Sequence, residues 1–483
     1  MRWDRLGAAV AVLAGGLGWL VGPSAPEVGP ESTGDVQLGA RIESLVDGES
    51  GYKGLAVAYV TADSVRIAGV GDDGTGRDVD AGTRFEIGSI GKVLTGMLLA
   101  DMVRTGTVRA DETLHELLPD VDFEDPDTAN TTLEELTSHR SGLPNVRITG
   151  PLQAARIWLS TIGGTDPYAG SDTEWLLSTV GSADAPGGEQ KVGYSNYAVS
   201  VLGQALAQRA GMPYPDLVRQ RVLAPLGMTE TTYTLPSPRA HGSTAGGRGV
   251  DPWGGSGYAP AGLGAWSTAT DLAKLVQATM AGTAPGAAAA EPRFDAGDGE
   301  RIGYGWFTEA DGITWHNGGT GGFSTYAGFD RADGRGVVVL SNTDQSVTNL
   351  GRELLGAEDE RGGGFNVPVA LRLAATIFLS FAGALGLWGA ARRAGMDRLL
   401  LVSNGAWAVV MPALAYVIGQ WQTIPTVVWA LGIAMTGYAA VRAGRRWLVV
   451  PLNARDTHPW MRWTTTAVNV VIAAALIIWA VIL

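Results

Sequence analysis

Four apolar segments near the C-terminus constrain the fold of this 483-residue chain more than any other feature. Each is close to the ~20 residues that an α-helix needs to cross the hydrocarbon of a bilayer. Helices packed inside a soluble protein normally keep a polar face, which these segments lack. The sequence therefore predicts four membrane-spanning helices, at residues 373–391, 399–418, 424–441 and 464–483.

The loops around these segments indicate their orientation. Arginines cluster after the first and third segments, whereas GQWQTIP, after the second, carries no charge. Positively charged loops tend to stay in the cytoplasm. Two arginines also precede an apolar run at 6–21, which is typical of an export signal or of a retained anchor. Both observations predict that the middle region, between residues 21 and 373, lies on the outer side of the cell membrane. The C-terminus is predicted to lie on the same side.

Composition excludes several classes of function. The net charge is −13, and most acidic residues precede the membrane segments, so the middle region would repel nucleic acid. The absence of cysteine excludes thiol catalysis, disulfide bonds and thiolate metal sites. His115 begins HELLP, which lacks the second histidine of the HExxH zinc motif and is more typical of a surface helix. We expect no metal, no cofactor and no nucleic-acid partner.

The middle region has strand patterns at both ends and helical patterns between them. GLAVAYV and SVRIAGVG predict a β-hairpin near its start. IGYGWFTE, GITWHNG, FSTYAGFD and RGVVVLSNT predict an antiparallel meander near its end. A helix is predicted to begin at or near Ser89, and one more covers TDLAKLVQATM. The residues expected to form one buried stripe on the first helix are Val93, Leu94, Met97, Leu98 and Met102.

These patterns predict three parts of the chain. A signal peptide or signal anchor with its linker occupies residues 1–35. An α+β domain with a sheet that closes around a helical insertion occupies residues 36–362. An all-α membrane domain of four helices occupies residues 363–483.

Ser89 and Lys92 have the spacing of a nucleophile and its base. At i and i+3 of a helix, the hydroxyl and the amine lie on one face, one turn apart. Lysine can accept the serine proton only if burial or positive neighbours lower its pKa from about 10.4. Ser50 and Lys53 share the spacing, but they lead into a strand, where i and i+3 point to opposite faces. We therefore predict Ser89 as the nucleophile and Lys92 as its partner.

Two further motifs are candidates for the same site. Tyr194 and Asn196 stand two apart in a turn before a helix, where a phenol can relay protons and an amide can bind a carbonyl. Taken alone, this motif is more typical of a turn with a helix-capping Asn. HNGGTGGF, which starts at His316, ends a strand with glycines that let a substrate backbone approach, or is a simple glycine-rich turn. The G-x-S-x-G elbow and the P-loop are both missing.

Taken together and in order, six segments make the chain resemble the family of class C β-lactamases, D-alanyl-D-alanine carboxypeptidases and related esterases. They are FEIGSIGK, LTSHRSGLP, YSN, VLAPLGM, STATDLAKL and HNGGTGGF, within about residues 44–357. The resemblance implies a β-lactamase/transpeptidase-like fold, with an antiparallel sheet flanked by helices and a helical lobe. It also implies an acyl-enzyme at Ser89, with Lys92 and Tyr194 sharing the proton transfers.

The resemblance further assigns binding roles. Asn196 would orient the substrate amide, and the backbone N–H groups of Ser89 and Gly319 would form the oxyanion hole. Class C β-lactamases carry K-T-G in the third motif, whereas His316 stands here, so the fixed positive charge near a β-lactam carboxylate is lost or becomes pH-dependent. This favours peptide or ester substrates. The substrate-binding residues implied are Asn196, His316, Asn317, Gly318 and Gly319.

The function predicted from the sequence is a serine hydrolase tethered to the outer face of the cell membrane. Its substrates would be cell-wall D-Ala peptides, β-lactams or small esters. One alternative is a penicillin-recognising sensor that is acylated without turnover, although the cytoplasmic loops are short for a sensor's effector. Another is a non-catalytic binding domain, which the complete set of Ser89, Lys92, Tyr194 and His316 disfavours.

Overall fold

The computed structural model describes residues 2–185, 191–357, 367–393, 396–453 and 458–482. The chain divides into two compact units. The sheet unit comprises Glu27–Thr244 and Gly249–Gly362, and the helical unit comprises Met1–Pro26, Ala245–Arg248 and Gly363–Leu483.

Eleven described strands belong to the sheet unit. They are β1 (Ser32–Gly34), β2 (Gly54–Thr61), β3 (Val65–Gly71), β4 (Phe85–Glu86), β5 (Trp266–Ser267), β6 (Phe294–Gly297), β7 (Glu300–Ile302), β8 (Phe307–Thr308), β9 (Thr314–Gly319), β10 (Ser324–Asp330) and β11 (Arg335–Ser341).

Helices lie before, between and after these strands. Helix α1 (Arg2–Val21) precedes the sheet unit, whose own helices are α2 (Val36–Val46), α3 (Ile90–Arg104), α4 (Leu114–Leu117), α5 (Pro126–Asn130), α6 (Leu133–Thr137), α7 (Pro151–Gly163), α8 (Thr173–Ser178), α9 (Asn196–Ala210), α10 (Tyr214–Val218), α11 (Ala269–Met280) and α12 (Thr348–Leu355). A π-helical turn at Arg219–Leu223 continues α10, and 3₁₀ turns occupy Ser256–Ala261 and Ala287–Ala290.

Nine strands form one antiparallel sheet in the order β1-β3-β2-β11-β10-β9-β8-β7-β6. The β2–β3 hairpin and the β9–β11 meander are confirmed. The two ends of the unit meet where β2 pairs with β11, for example at Val57 and Val339. IGYGWFTE forms two short strands instead of one, because the backbone turns between them at Gly305, whose φ is +80°.

Helix α3 is the central helix of the unit. Every residue from Ile90 to Met102 is buried, so the predicted apolar stripe is only one part of a helix that is covered on all sides. The cover comes from α6, α9, α10 with its π-helical turn, the inner strands β9 and β10, and the 3₁₀ turns. Two glycines permit this close packing: a Cβ on Gly91 would lie 2.3 Å from the Cα of Gly262, and a Cβ on Gly96 would lie 2.1 Å from the carbonyl oxygen of Tyr304.

The helical unit contains α1 together with α13 (Val367–Ala390), α14 (Arg398–Ile418), α15 (Thr426–Trp447) and α16 (Pro459–Ile482). All five are long and apolar enough to cross a membrane, which suggests a membrane protein. Helix α15 runs beyond the predicted apolar segment, because the arginine cluster that follows the segment continues the helix to Trp447.

Within the helical unit, α1 packs along α15 through small residues. A Cβ on Gly15 would lie 3.0 Å from the Cβ of Ala434, and one on Gly18 would lie 3.3 Å from the Cβ of Ile433. Polar contacts occur at both ends of the pair. The Thr426 hydroxyl donates to the carbonyl of Pro23 at 2.6 Å, and Arg442 forms an ion pair with Asp4 at 2.7 Å.

Candidate active site

Ser89 stands at the N-terminus of α3 with its hydroxyl available for chemistry. Its backbone is already helical (φ −63°, ψ −7°), and its side chain makes no capping hydrogen bond to the helix. The Nζ atom of Lys92 lies 2.7 Å from the Ser89 Oγ, and the phenol oxygen of Tyr194 also lies 2.7 Å from it. The structure thus brings the three predicted catalytic side chains together at one oxygen.

The Lys92 amine meets the condition for acting as a base. Its side chain has no exposed surface, and its second hydrogen bond is to the carbonyl oxygen of Ala261 at 3.0 Å. Desolvation lowers the pKa of Lys92 well below its usual value, and no carboxylate contributes to restoring it. A neutral amine with a free lone pair can take a proton from Ser89.

Tyr194 closes the other side of the serine hydroxyl. Although 39% of its surface is exposed, its phenol oxygen points inward to Ser89. Desolvation raises the pKa of Tyr194 above its ordinary value, partly offset by the hydrogen bond to Ser89. The phenol is therefore protonated near neutral pH and can donate a proton instead of starting as a phenolate.

The turn that carries Tyr194 is fixed by the helix that follows it. Ser195 is the N-cap of α9: its hydroxyl accepts from the Ala198 N–H at 2.9 Å and donates to the Pro144 carbonyl at 2.7 Å. The cap is therefore Ser195, which leaves the Asn196 side chain available. Asn196 Nδ2 lies 3.5 Å from the phenol oxygen of Tyr168.

Strand β9 presents alternate residues to opposite faces of the sheet. His316 is buried on the face toward Tyr194, with their ring centres 6.3 Å apart. Its Nδ1 donates to the Asn317 carbonyl at 2.6 Å, and desolvation lowers the pKa of His316 to about 3. The imidazole is thus neutral. The Asn317 amide instead donates to the Thr348 hydroxyl of α12 at 3.0 Å, on the opposite face. Its predicted role in substrate binding remains a prediction.

The end of β9 packs backbone to backbone against the segment before Ser89. A Cβ on Gly318 would lie 2.1 Å from the Ile87 carbonyl oxygen and 3.0 Å from the Ser89 nitrogen. A Cβ on Gly88, whose φ is +49°, would lie 2.8 Å from the Gly319 nitrogen. Only glycine fits at these two positions, and the contact brings the Ser89 and Gly319 backbones together.

The direction of the Gly319 N–H follows from the register of the β9–β10 hairpin. Thr320 N donates to Phe323 O at 3.0 Å across the turn, so these two residues form a hydrogen-bonded pair. Bonded and non-bonded pairs alternate along an antiparallel ladder. Gly319 and Ser324 are the next pair, and the Gly319 N–H therefore points away from β10.

Glu86 supports this arrangement and was missed by the sequence reasoning. It is buried on β4 and accepts hydrogen bonds from the Thr320 hydroxyl and the Trp253 N–H, both at 2.7 Å. It thereby connects the segment before Ser89 to the residue after Gly319. The available signal was an acidic residue inside the otherwise apolar start of FEIGSIGK.

His139 is a second residue of the site that the sequence patterns did not identify. It belongs to LTSHRSGLP and lies against Tyr194, with the two ring centres 4.5 Å apart. No group of three or more His, Asp or Glu side chains that could hold a metal ion occurs among the residues that the structure describes.

Comparison with known proteins gives this geometry its context. Residues 39–358 match the protein family described as Beta-lactamase. The chain belongs to the Beta-lactamase family. The resemblance seen in the six sequence segments is confirmed, and this Beta-lactamase-family protein is accordingly a serine hydrolase.

The relatives of this Beta-lactamase-family protein include one named as a peptidase and one named as a penicillin-binding protein. It is 26% identical over 305 residues to the D-alanyl-D-alanine-carboxypeptidase/endopeptidase AmpH of Escherichia coli (strain K12), covering 57% of this chain and 76% of the relative. It is 30% identical over 206 residues to Penicillin-binding protein 4 of Amycolatopsis lactamdurans, covering 41% of this chain and 50% of the relative.

Solved structures confirm the fold. A class C beta lactamase from Rhodobacter sphaeroides aligns with a TM-score of 0.54 at 21% identity, covering 65% of this chain and 96% of that one. D-alanine carboxypeptidase AmpC from Burkholderia cenocepacia aligns with a TM-score of 0.51 at 24% identity, covering 66% and 96%. The helices α13 to α16 lie beyond the region that matches the family.

Proposed function

We propose that this Beta-lactamase-family protein is a membrane-anchored hydrolase that forms an acyl-enzyme at Ser89 outside the cytoplasm, on D-Ala peptides or small esters. The observation that carries the proposal is the Ser89 Oγ, which lies 2.7 Å from both the Lys92 amine and the Tyr194 phenol. A serine so placed has a base and a proton donor in hydrogen-bond reach.

The chemistry divides between the two neighbours. The neutral Lys92 amine takes the Ser89 proton as Oγ bonds to the carbonyl carbon of the substrate. Tyr194 gives its proton to the leaving nitrogen or oxygen as the scissile bond breaks, and is reprotonated from Lys92. Water then attacks the acyl-enzyme with the proton steps reversed. The Ser89 and Gly319 N–H groups would stabilise the oxyanion in both halves of the reaction.

The neutral imidazole of His316 favours peptides and esters over β-lactams. A buried histidine whose pKa is about 3 supplies no positive charge for a substrate carboxylate at neutral pH. The relative named as a D-alanyl-D-alanine-carboxypeptidase/endopeptidase supports a D-Ala peptide substrate. We expect penicillins to acylate Ser89 poorly, or to form an acyl-enzyme that is hydrolysed slowly.

The membrane part of the proposal rests on the helices. Five described helices have the length and composition of membrane spans. Arginines after the first and third C-terminal segments favour a cytoplasmic location for those loops, which would put the sheet unit outside. The packing of α1 along α15 supports a retained N-terminal anchor over a cleaved signal.

The test uses the full-length protein in detergent micelles with 4-nitrophenyl butyrate, a D-Ala-D-Ala peptide and benzylpenicillin. Hydrolysis is followed by absorbance and product analysis, and acylation by intact-mass spectrometry. We expect activity that Ser89→Ala abolishes. Ser50→Ala is the matched control, because Ser50 is the other serine with a lysine three residues on, and it should keep wild-type activity.

Two results would refute the proposal. One is the absence of hydrolysis and of any adduct with all three compounds. The other is activity that survives in the Ser89→Ala protein.

A further inference from the structure

His139 occupies a backbone position that suits glycine better than any other residue. It follows α6 and has φ +58°, one of two described non-glycine residues with positive φ. The Arg140 N–H donates to the Glu135 carbonyl at 2.8 Å across it, which is the hydrogen bond of a Schellman helix end with His139 at its left-handed residue. Glycine and asparagine are favoured there, and a histidine costs about 1 kcal/mol or more.

The contacts of His139 explain what the strained position provides. Its carbonyl oxygen accepts from the Gly193 N–H at 2.7 Å, and its ring Nδ1 accepts from the Ser195 N–H at 3.3 Å. These two N–H groups flank Tyr194. The His139 ring, which is completely buried, packs on the Tyr194 ring with their centres 4.5 Å apart. One residue therefore holds the backbone on both sides of the phenol and the face of the phenol itself.

The hydrogen bond at Nδ1 defines the form of the imidazole. Since Nδ1 accepts from an amide N–H, the ring proton is on Nε2, which has no hydrogen-bond partner among the described residues. Burial lowers the pKa of His139 well below its usual value. The neutral ring can therefore accept from the Ser195 N–H near neutral pH.

We propose that His139 is a positioning residue which holds Tyr194 at the Ser89 hydroxyl. Its Nδ1 and its carbonyl oxygen accept hydrogen bonds from the backbone N–H groups on either side of the tyrosine. This inference rests on the proposed function, because it assigns His139 a part in the proton transfer by Tyr194. His139 itself lies beside the tyrosine and takes no part in bond making.

Two substitutions separate positioning from a helix-end role. His139→Gly relieves the left-handed strain but removes the Nδ1 acceptor and the ring. His139→Asn also tolerates the backbone, and its Oδ1 is attached to Cγ as Nδ1 is, so it can accept from Ser195. If His139 only ended α6, glycine would be the better replacement. If His139 positions Tyr194, asparagine would be the better replacement.

The experiment measures ester hydrolysis by full-length variants that melting curves show to be folded. We expect His139→Gly to lower kcat at least about tenfold with little change in KM, and His139→Asn to stay within about threefold of wild type. Adding His139→Gly to Tyr194→Phe should cause little further loss, since both remove the same proton donor. His115→Gly, at an exposed histidine, is the control and should leave kcat unchanged.

Several results would overturn the inference. They are a His139→Gly enzyme as fast as wild type, a His139→Asn enzyme as slow as His139→Gly, or losses that multiply in the double variant. A second readout does not need turnover: 3-fluorotyrosine placed at position 194 should give a ¹⁹F resonance that His139→Gly shifts or broadens and His139→Asn preserves. If wild type lacks Ser89-dependent activity, the proposed function fails, and an unchanged resonance in His139→Gly would refute the positioning separately.

Discussion

A fully buried amine such as Lys92 is costly to fold unless it is neutral, and a neutral amine beside Ser89 can act as a base. We expect Lys92→Met, which keeps the length of the side chain without its polar group, to lower kcat/KM for an ester at least about a hundredfold. Its melting temperature should equal or exceed that of wild type. Kinetics and melting curves on the full-length protein test both statements, and an active Lys92→Met enzyme would refute the role of base.

Lys92→Arg provides the complementary comparison. A guanidinium cannot lose its proton in a protein, so this variant keeps a positive charge in the buried position. We expect it to be as inactive as Lys92→Met and less stable than wild type.

The buried carboxyl group of Glu86 should make stability depend on pH. Desolvation raises the pKa of Glu86 from 4.5 to about 8, partly offset by the hydrogen bonds from Thr320 and Trp253. The folded protein therefore binds this proton more tightly than the unfolded chain. The stabilisation is complete below about pH 4.5 and is lost as the pH rises through about 8, amounting to at most about 5 kcal/mol.

Glu86→Gln tests this dependence because it keeps the shape and stays neutral. The fall in melting temperature between pH 5.5 and pH 8.5 should be several degrees smaller in Glu86→Gln than in wild type. Glu43→Gln, at an exposed position on α2, should behave like wild type. Equal pH dependence in wild type and Glu86→Gln would contradict the raised pKa.

Single residues differ in how far a sequence can reveal them. The Ser89–Lys92 pair was predictable because helix geometry alone places residues i and i+3 together. Glu86 and His139 were not, because their partners are remote in the chain: Thr320 is 234 residues from Glu86, and Ser195 is 56 residues from His139. A single sequence contains no local pattern for such contacts.

At the scale of elements, the N-terminal turn of α3 is held by backbone contact with the 3₁₀ turn beside it. A Cβ on Gly91 would lie 2.3 Å from the Gly262 Cα. We expect Gly91→Ala to destabilise the protein by about 1–3 kcal/mol and to slow acylation, because Ser89 and Lys92 would shift with the helix. Gly150→Ala, where nothing lies within 4 Å of the new Cβ, is the control for melting and ester kinetics. A Gly91→Ala protein that matches Gly150→Ala would show that the turn can move freely.

Strand β9 shows that a sequence motif does not indicate which of its residues face the site. The motif HNGGTGGF predicts one binding segment, yet successive residues of a strand face opposite ways. His316 therefore faces Tyr194, whereas Asn317 bonds to Thr348 on the other face. The period of two was visible in the sequence. The pairing of β2 with β11, about 280 residues apart, required only the general expectation that terminal strands close one sheet.

At the scale of the whole molecule, the contact between α1 and α15 makes the N-terminal segment part of the helical unit. The chain has no cysteine, so engineered pairs report contacts without background. The Cβ of a Cys at position 18 would lie 3.3 Å from that of residue 433, close to disulfide geometry. We expect Gly18→Cys with Ile433→Cys to cross-link in membranes under mild oxidation.

A second cysteine pair on the same two helices is the control. Gly16→Cys with Ile433→Cys should not cross-link, because nothing lies within 4 Å of a Cβ at Gly16. If the segment is removed as a signal peptide, neither pair will cross-link, and mass spectrometry will show a mature chain that starts after residue 21.

The sheet unit lies in the chain between α1 on one side and α13 to α16 on the other. If α1 is retained, a protease that cuts once, in either connecting segment, leaves the hydrolase attached through its other end. Shedding an active enzyme into the surroundings would then need two separate cleavages. Under the proposed topology, a soluble form of this hydrolase would accordingly be rare, and its activity would remain at the surface of the cell that made it.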